Sequence, residues 1–222
     1  MSFEPPTTTK ALLERARSIA GFRLHELSAA LEREVPEDLR RHKGWIGRLL
    51  ESALGADKGN GAVDFNALEV ELKTIPVDRR GEPRETTFVC SVPLANPDEV
   101  RWETSRTRQK LANVLWIPIL AEEGLPIADR VVGSPLLWSP TPQEEALLAQ
   151  DWREHLDVIR RGGVDTITAH DGRALQIRPK GANAHSTTWS VDGAGNAVLT
   201  QPRAFYLRTW FTASLLARNF AR

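Results

Sequence analysis

Between residues 8 and 34 the apolar positions recur with helical spacing. Leu12, Leu13, Ala16 and Ile19 share a face, Gly21 is placed to end that helix, and Leu24, Leu27 and Leu31 continue the spacing in a second. Pro36 opens a new segment in which Trp45, Leu49 and Leu50 pack and Gly55 offers a C-terminal cap, so Glu51 sits in the last turns of a helix. From Ala67 the period falls to two. Val70, Leu72 and Thr74 alternate with Glu69, Glu71 and Lys73, which predicts a strand with one apolar and one charged face, closed by Pro76. A second strand, Thr86 to Val92, follows across the polar stretch Asp78 to Glu85, where Gly81 and Pro83 mark a turn or a longer hairpin loop. Residues 103 to 112 read as helix and lead into Val114-Leu115-Trp116-Ile117, a buried strand. Thr141-Pro142-Gln143-Glu144 has capping-box spacing with proline at the first helical position, and Gly162-Gly163 ends the helix it starts. Strand signals return at Leu175 to Ile177, in a hairpin about Asp192-Gly193-Ala194-Gly195, and at Ala204 to Leu207. Thr212 caps a final helix that docks through Leu215, Leu216 and Phe220. The fold class is α/β, and without repeats or a clear linker the chain reads as two lobes of one unit over residues 1–222.

Composition narrows the setting more than the chemistry. At 222 residues, 41% hydrophobic and 26% charged, the chain belongs with ordinary soluble globular proteins. Its single cysteine, Cys90, can form no internal disulfide, and a reducing cytoplasm is the expected compartment. The histidines have no zinc-ligand spacing. The start, MSFEPPTTTK, lacks the basic stretch and apolar core of a secretory signal, and no apolar run is long enough to span a bilayer. The 29 basic and 29 acidic residues cancel, but from Arg173 to Arg222 seven Lys/Arg stand against one acid, Asp192. That leaves room for a local basic face toward a polyanion, or for a solvated surface facing an acidic neighbour.

The string Asp64-Phe-Asn-Ala-Leu-Glu-Val-Glu71-Leu-Lys73 has the form of a nuclease signature, an acid ahead of a strand that carries acid-x-lysine. Residues two apart on a strand project from one face, so Glu71 and Lys73 can meet one phosphate while Asp64 approaches from the preceding turn. Magnesium prefers a few carboxylates plus water, and Asp64, Glu71 and the Leu72 carbonyl would suit it. There it would polarise a phosphate and lower the pKa of a bound water, while Lys73 orients or deprotonates that water and offsets transition-state charge. Short acid-x-lysine strings are also common on solvated strand faces with cross-strand ion pairs. Glu69 shares the predicted face of Glu71; Glu71 is preferred because the lysine stands two residues beyond it.

The surroundings of the string are more specific. Lys43-Gly44-Trp45-Ile46-Gly47-Arg48-Leu49-Leu50-Glu51, the strand running on through Thr74-Ile75-Pro76-Val77-Asp78, Glu85-Thr86-Thr87-Phe88-Val89-Cys90 and Leu115-Trp116-Ile117-Pro118 resemble the MutH family of DNA mismatch-repair endonucleases. So do Gly133-Ser134-Pro135-Leu136-Leu137-Trp138-Ser139-Pro140, Gln176-Ile177-Arg178-Pro179-Lys180 and Phe205-Tyr206-Leu207, in collinear order from about residue 10 onward. The resemblance implies a restriction-endonuclease-like mixed central sheet flanked by helices, with two arms that close on duplex DNA. It implies methyl-directed nicking of the unmethylated strand at hemimethylated GATC sites, with Mg2+ (Mn2+ as a substitute), by a monomer activated by MutL after MutS finds a mismatch.

On that resemblance Glu51, Asp64, Glu71, Lys73 and Lys110 match the catalytic positions, and Asp64, Glu71 and Leu72 the metal site. Lys43 and Gly44 match a phosphate-contacting turn, and Arg178, Pro179, Lys180 and Tyr206 the groove-reading loops. Arginine can donate two hydrogen bonds to guanine O6 and N7, and a proline carbonyl outside a ladder can accept from a base amino group. Apart from the family, Glu51 reads as a helix-surface acid, Lys110 as a solvated lysine, Lys43-Gly44 as a helix boundary, Arg178 as a strand-end residue and Tyr206 as core. Two other readings stand beside nicking: a restriction-type enzyme cutting both strands at GATC, and a module that senses methylation without cutting.

Overall fold

Six helices and nine strands form among the residues described in the computed structural model, 4–57, 61–181 and 185–220. In chain order they are α1 (Thr9–Ser18), α2 (Leu24–Ala30), α3 (Trp45–Leu54), β1 (Glu71–Val77), β2 (Thr87–Ser91), α4 (Arg106–Ala112), β3 (Val114–Leu120), β4 (Val131–Val132), β5 (Leu136–Trp138), α5 (Pro142–Arg160), β6 (Leu175–Pro179), β7 (Thr188–Val191), β8 (Ala197–Thr200), β9 (Arg203–Leu207) and α6 (Thr209–Phe220). The architecture is mixed α/β, as the alternation of periods requires. The chain divides into two compact units. No helix among the described residues is long and apolar enough to cross a membrane.

The first unit comprises Met1–Glu85, Ala112–Ser139 and Leu215–Arg222. Its sheet has β3 at the centre, parallel to β1 on one side and antiparallel to β4 and β5 on the other. One face of that sheet, through Leu72, Leu115, Ile117 and Ile119, joins Leu12, Ala16, Leu24, Leu27, Leu49, Leu50 and Leu54 in a single apolar cluster. The predicted stripes of α1, α2 and α3 thus supply this core. Helix α3 begins only at Trp45, later than Pro36 suggests, after Gly44 in the left-handed region at φ 74°. A side chain there would be strained, so glycine fixes where the helix can start. Gly55 caps the other end.

Two prolines lie inside strands. Among the described residues β1 pairs with one strand only, and the Pro76 carbonyl accepts from the Arg84 N–H, away from β3. The missing Pro76 N–H therefore falls on the free edge, and the strand continues to Val77 instead of closing at Pro76. Pro118 lies in β3 where β5, paired as far as Trp116, gives way to β4, paired from Ile119.

The second unit comprises Thr86–Leu111 and Pro140–Ser214. Its three-stranded sheet has β9 in the middle, antiparallel to β2 and to β6, and β7 and β8 form a separate hairpin about Asp192. β2 thus pairs with β9 and not with β1, which excludes a β1–β2 hairpin across residues 78–85. Helix α5 starts as its sequence demands: Thr141 accepts from the Glu144 N–H and Glu144 accepts from the Thr141 N–H. Helix α6 starts earlier than expected. Thr212 is buried within it and donates to the Thr209 carbonyl instead of capping its start. Leu215 and Leu216 are buried, whereas Phe220 remains 44% exposed.

Candidate functional site

The start of β1 is built from three backbone decisions. After Asp64, Phe65 and Val70 exchange N–H to C=O bonds in both directions, closing a tight loop around the short 3-10 turn Asn66–Leu68. Glu69 leaves that turn at φ 54°, exposed, so it is not in the extended register and does not share a strand face with Glu71. The Glu71 N–H then donates to the Asn113 carbonyl, and β1 locks to β3. Residues 71, 73, 75 and 77 consequently turn their backbone groups toward β3, and 72, 74 and 76 turn theirs to the free edge.

That alternation brings Asp64 to the strand. Its Oδ2 accepts from the Leu72 N–H at 2.8 Å, on the free edge. The Leu72 carbonyl projects from the same side as its N–H, so the β1–β3 ladder does not consume it. Glu71 and Lys73 share the sheet face opposite the Leu72 side chain, with Val114 and Trp116 as cross-strand neighbours. They are 5% and 7% exposed, and Lys73 Nζ stands 3.1 Å from Glu71 Oε1. The expected charged face is therefore buried, and the solvated-strand reading fails. A buried ion pair of this kind is weak evidence for stability, since apolar residues of similar volume serve a core at least as well.

Glu51 completes the group from the last turn of α3. It lines one pocket with Ser52, Ala56, Asp57 and Asp64. The segment after the helix is tied to the loop by the Asp57 N–H, which donates to the Asp64 carbonyl at 3.0 Å. Arg33 bonds both the Arg48 carbonyl and the Ser52 hydroxyl, fixing the same end of α3. The spacing of the sequence does not single out Ser52 or Asp57. Asp57 is contiguous with the helix end, but no periodicity distinguishes it from an ordinary loop acid.

The chemistry of the donor set fits a small, hard cation. Asp64 supplies a carboxylate whose Oδ1 has no hydrogen-bond partner among the described residues, Glu71 a second carboxylate and Leu72 a carbonyl. Magnesium binds through one or two carboxylates and keeps several waters. Among the described residues there is no group of three or more His, Cys, Asp or Glu side chains that could hold a metal ion. Lys43 and Gly44 also belong to the first unit, Lys43 exposed and its carbonyl bonded by Arg48 Nη1.

The remaining candidates lie in the second unit. Lys110 is half-buried in α4. Arg178, Pro179 and Lys180 run exposed along the end of β6, and Tyr206 is its neighbour on β9. Tyr206 is not core: it is half-buried, edge-on to Phe88 at 5.6 Å, with the Arg178 guanidinium 5.9 Å from its ring centre. Arg178 also donates to Thr86 Oγ1, and Lys180 Nζ sits 3.9 Å over the Phe88 ring. Desolvation holds the Lys180 ammonium below the usual lysine range, against a smaller opposing effect of Cys90. Two cations and two rings thus form one continuous exposed face. Sequence reasoning misses Phe88, although an aromatic at an outward position of Thr86 to Val92 is an available signal. The Ala174 carbonyl accepts from the Arg208 N–H and the Lys180 N–H donates to the Pro202 carbonyl, so even-numbered residues of β6 bond to β9. Odd-numbered ones point outward, and the Pro179 carbonyl is free of the ladder.

A family model described as "DNA mismatch repair enzyme MutH" matches residues 54–151. The DNA mismatch repair protein MutH of Escherichia coli (strain K12) is 52% identical over 217 residues, covering 97% of this chain and 95% of that protein. Its counterpart in Enterobacter sp. (strain 638) is 51% identical over 217 residues, covering 97% and 94%.

Proposed function

The chain belongs to the MutH family and is a DNA mismatch-repair endonuclease, and on that premise we propose that it nicks the unmethylated strand of hemimethylated GATC sites with magnesium as cofactor. The observation that carries the proposal is the buried Glu71–Lys73 pair on β1 with the Asp64 carboxylate fastened to the intervening residue. A charge pair this costly to bury is expected where charge is used.

Asp64, Glu71 and the Leu72 carbonyl would hold the ion, with manganese as a substitute. When bound, it would act as a Lewis acid on the scissile phosphate and acidify a water. Lys73, held by Glu71 beside the reacting phosphate, would orient the attacking water and offset the negative charge that builds on the phosphoryl oxygens. Glu51 faces the pocket it shares with Asp64 and would accept a proton from water there. Lys43, Lys110 and Lys180 would contact backbone phosphates, with Gly44 letting the chain approach closely. Arg178 would read guanine, the Pro179 carbonyl would accept from a base amino group, and Tyr206 would meet the adenine whose methylation is sensed.

The restriction-endonuclease-like arrangement, two arms closing on duplex DNA, is part of this proposal. In its support, Glu71 and Lys73 lie in the first compact unit and Arg178 and Pro179 in the second, which would divide cleavage and recognition between them. Activation by MutL, downstream of MutS, and action as a monomer belong to the same reading. The deciding experiment is incubation of the purified protein with magnesium and a hemimethylated GATC plasmid, with and without MutL. Nicked circles cut on the unmethylated strand, formed faster with MutL, are expected. Linear product would favour the restriction-type reading, and bound but intact plasmid the non-cleaving module.

A further inference from the structure

The edge strand that presents Arg178, Pro179 and Lys180 is gripped at its start by two side chains of α5. Asp151, fully buried, accepts from the N–H groups of Arg173, Ala174 and Leu175 at 3.0, 2.6 and 2.8 Å. One turn later His155, 3% exposed, bonds the Leu175 carbonyl through Nε2 at 3.0 Å. A carbonyl can only accept, so that nitrogen carries the proton. Leu175 is an odd-numbered residue of β6, and its N–H and C=O point away from β9, where no further strand would satisfy them. Asp151 and His155 take the place of that strand. The turn before them is equally fixed: Arg208 donates to the carbonyls of Ala169, Asp171 and Gly172, and Trp210 Nε1 to that of Arg173. Gly172, at φ 77°, lies so close that a Cβ there would overlap the Leu175 oxygen and stand 2.7 Å from His155 Nε2.

A grip on both polar groups of one residue does what ladder bonds alone do poorly, because it specifies which residue occupies that place. If β6 slipped by one residue, Arg178 would turn to the buried face and a different carbonyl would replace that of Pro179 at the outer edge. We infer that Asp151 and His155 are positioning residues that lock the register of β6, and through it decide whether the Arg178 side chain and the Pro179 carbonyl meet the DNA bases. The inference rests on the reading of Arg178 and Pro179 as base-contacting.

The experiment compares nicking at GATC with nicking at a site altered by one base pair, as a ratio of kcat/KM, for the full-length wild type and for His155→Leu, His155→Gln, Asp151→Asn and Arg178→Ala. Rates are taken well below each variant's melting midpoint, with the folded fraction read by near-ultraviolet circular dichroism. Glutamine can place an N–H near the position of Nε2, whereas leucine cannot. His155→Leu and Asp151→Asn are expected to lower the ratio about tenfold, the scale of one well-placed bidentate contact, and His155→Gln to restore most of it. A role confined to stability would lower the melting midpoint and leave the ratio per folded molecule unchanged, and that result overturns the inference. If Asp151→Asn does not fold, the two His155 variants decide alone. Arg178→Ala separates the two levels: an unchanged ratio in that variant refutes the base-contact reading itself, whatever the other variants do.

Discussion

Replacing Lys73 by methionine keeps an unbranched side chain, one atom shorter, and removes a charge that Glu71 faces at 3.1 Å, with both side chains at most 7% exposed. Glu71 would remain a buried carboxylate that has lost the Lys73 ammonium. Breaking a buried pair from one side costs about 3–5 kcal/mol, most of it the desolvation of the survivor. For a chain of this size, about 2–4 °C per kcal/mol makes that a loss of roughly 6–20 °C in the melting midpoint. The double variant Glu71→Gln/Lys73→Met removes both charges of the pair, and its midpoint should lie above that of Lys73→Met, within about 1 kcal/mol of the wild type. Nicking should be absent from both. Melts belong in metal-free buffer, since an ion bound only by the folded state would raise the midpoint through mass action. The activity assay follows conversion of supercoiled GATC plasmid to nicked circles at a temperature where every variant is folded. A Lys73→Met midpoint within about 2 °C of wild type would show that the pair is not energetically closed as the burial implies. Nicking by the refolded double variant would remove both residues from catalysis.

Asp64→Asn should keep its hydrogen bond to the Leu72 N–H yet abolish nicking, because one oxygen donor of the ion site becomes an amide nitrogen or a neutral carbonyl; calcium in place of magnesium should support DNA binding without cleavage, measured by gel shift and plasmid nicking on one sample. Tyr206→Ser should keep the fold and narrow the rate difference between unmethylated and methylated strands, read by strand-specific nicking of hemimethylated and fully methylated duplexes, since removal of the ring opens space for the N6-methyl group; an unchanged preference would exclude Tyr206 from methyl sensing. Lys180 has its folded pKa lowered by desolvation, so its cation is lost as pH rises through a value below the usual 10.5, and any contribution of the neutral form to stability is gained at the alkaline side. Wild-type DNA affinity should accordingly fall in that window and its salt slope shrink by about one unit, while Lys180→Arg holds both constant.

Much of the molecule can be read in the sequence because its signals are local. The capping box at Thr141–Glu144 and the Gly55 cap depend on atoms a few residues apart and appear where the pattern places them, and the two-residue alternation marks β1 correctly from Glu71 onward, though not from Ala67. What depends on partners far along the chain does not. Nothing near Glu71 and Lys73 states that both sheet faces are covered, and a period-two pattern with charges on one side ordinarily means water on that side. The partner of β2 is β9, more than a hundred residues away, whereas Asp78 to Glu85 offers a nearer and false partner in β1. Pro76 reads as a terminator because the sequence does not say that its missing donor falls on an unpaired edge. Tyr206 reads as core because the outward face of β9 is defined only once Phe88, Arg178 and Lys180 are laid across it. Asp151 and His155 carry no motif at all: a helix acid and a histidine one turn on become an anchor only through the tertiary placement of Leu175.

The proline in the first strand has a consequence for how the protein can be stored and crowded in a cell. Among the described residues β1 pairs along one side only, and an unpaired side is a template on which another chain can polymerise. At residue 76 the template lacks its donor, and its acceptor is already occupied by the Arg84 N–H. A second proline, Pro83, bridges to Val77 at the same end. The open side is therefore usable over only the first few residues, where Asp64 holds the Leu72 N–H. Protection from fibril-like addition is thus distributed along the strand: a carboxylate on the N–H at its beginning, imino acids at its end.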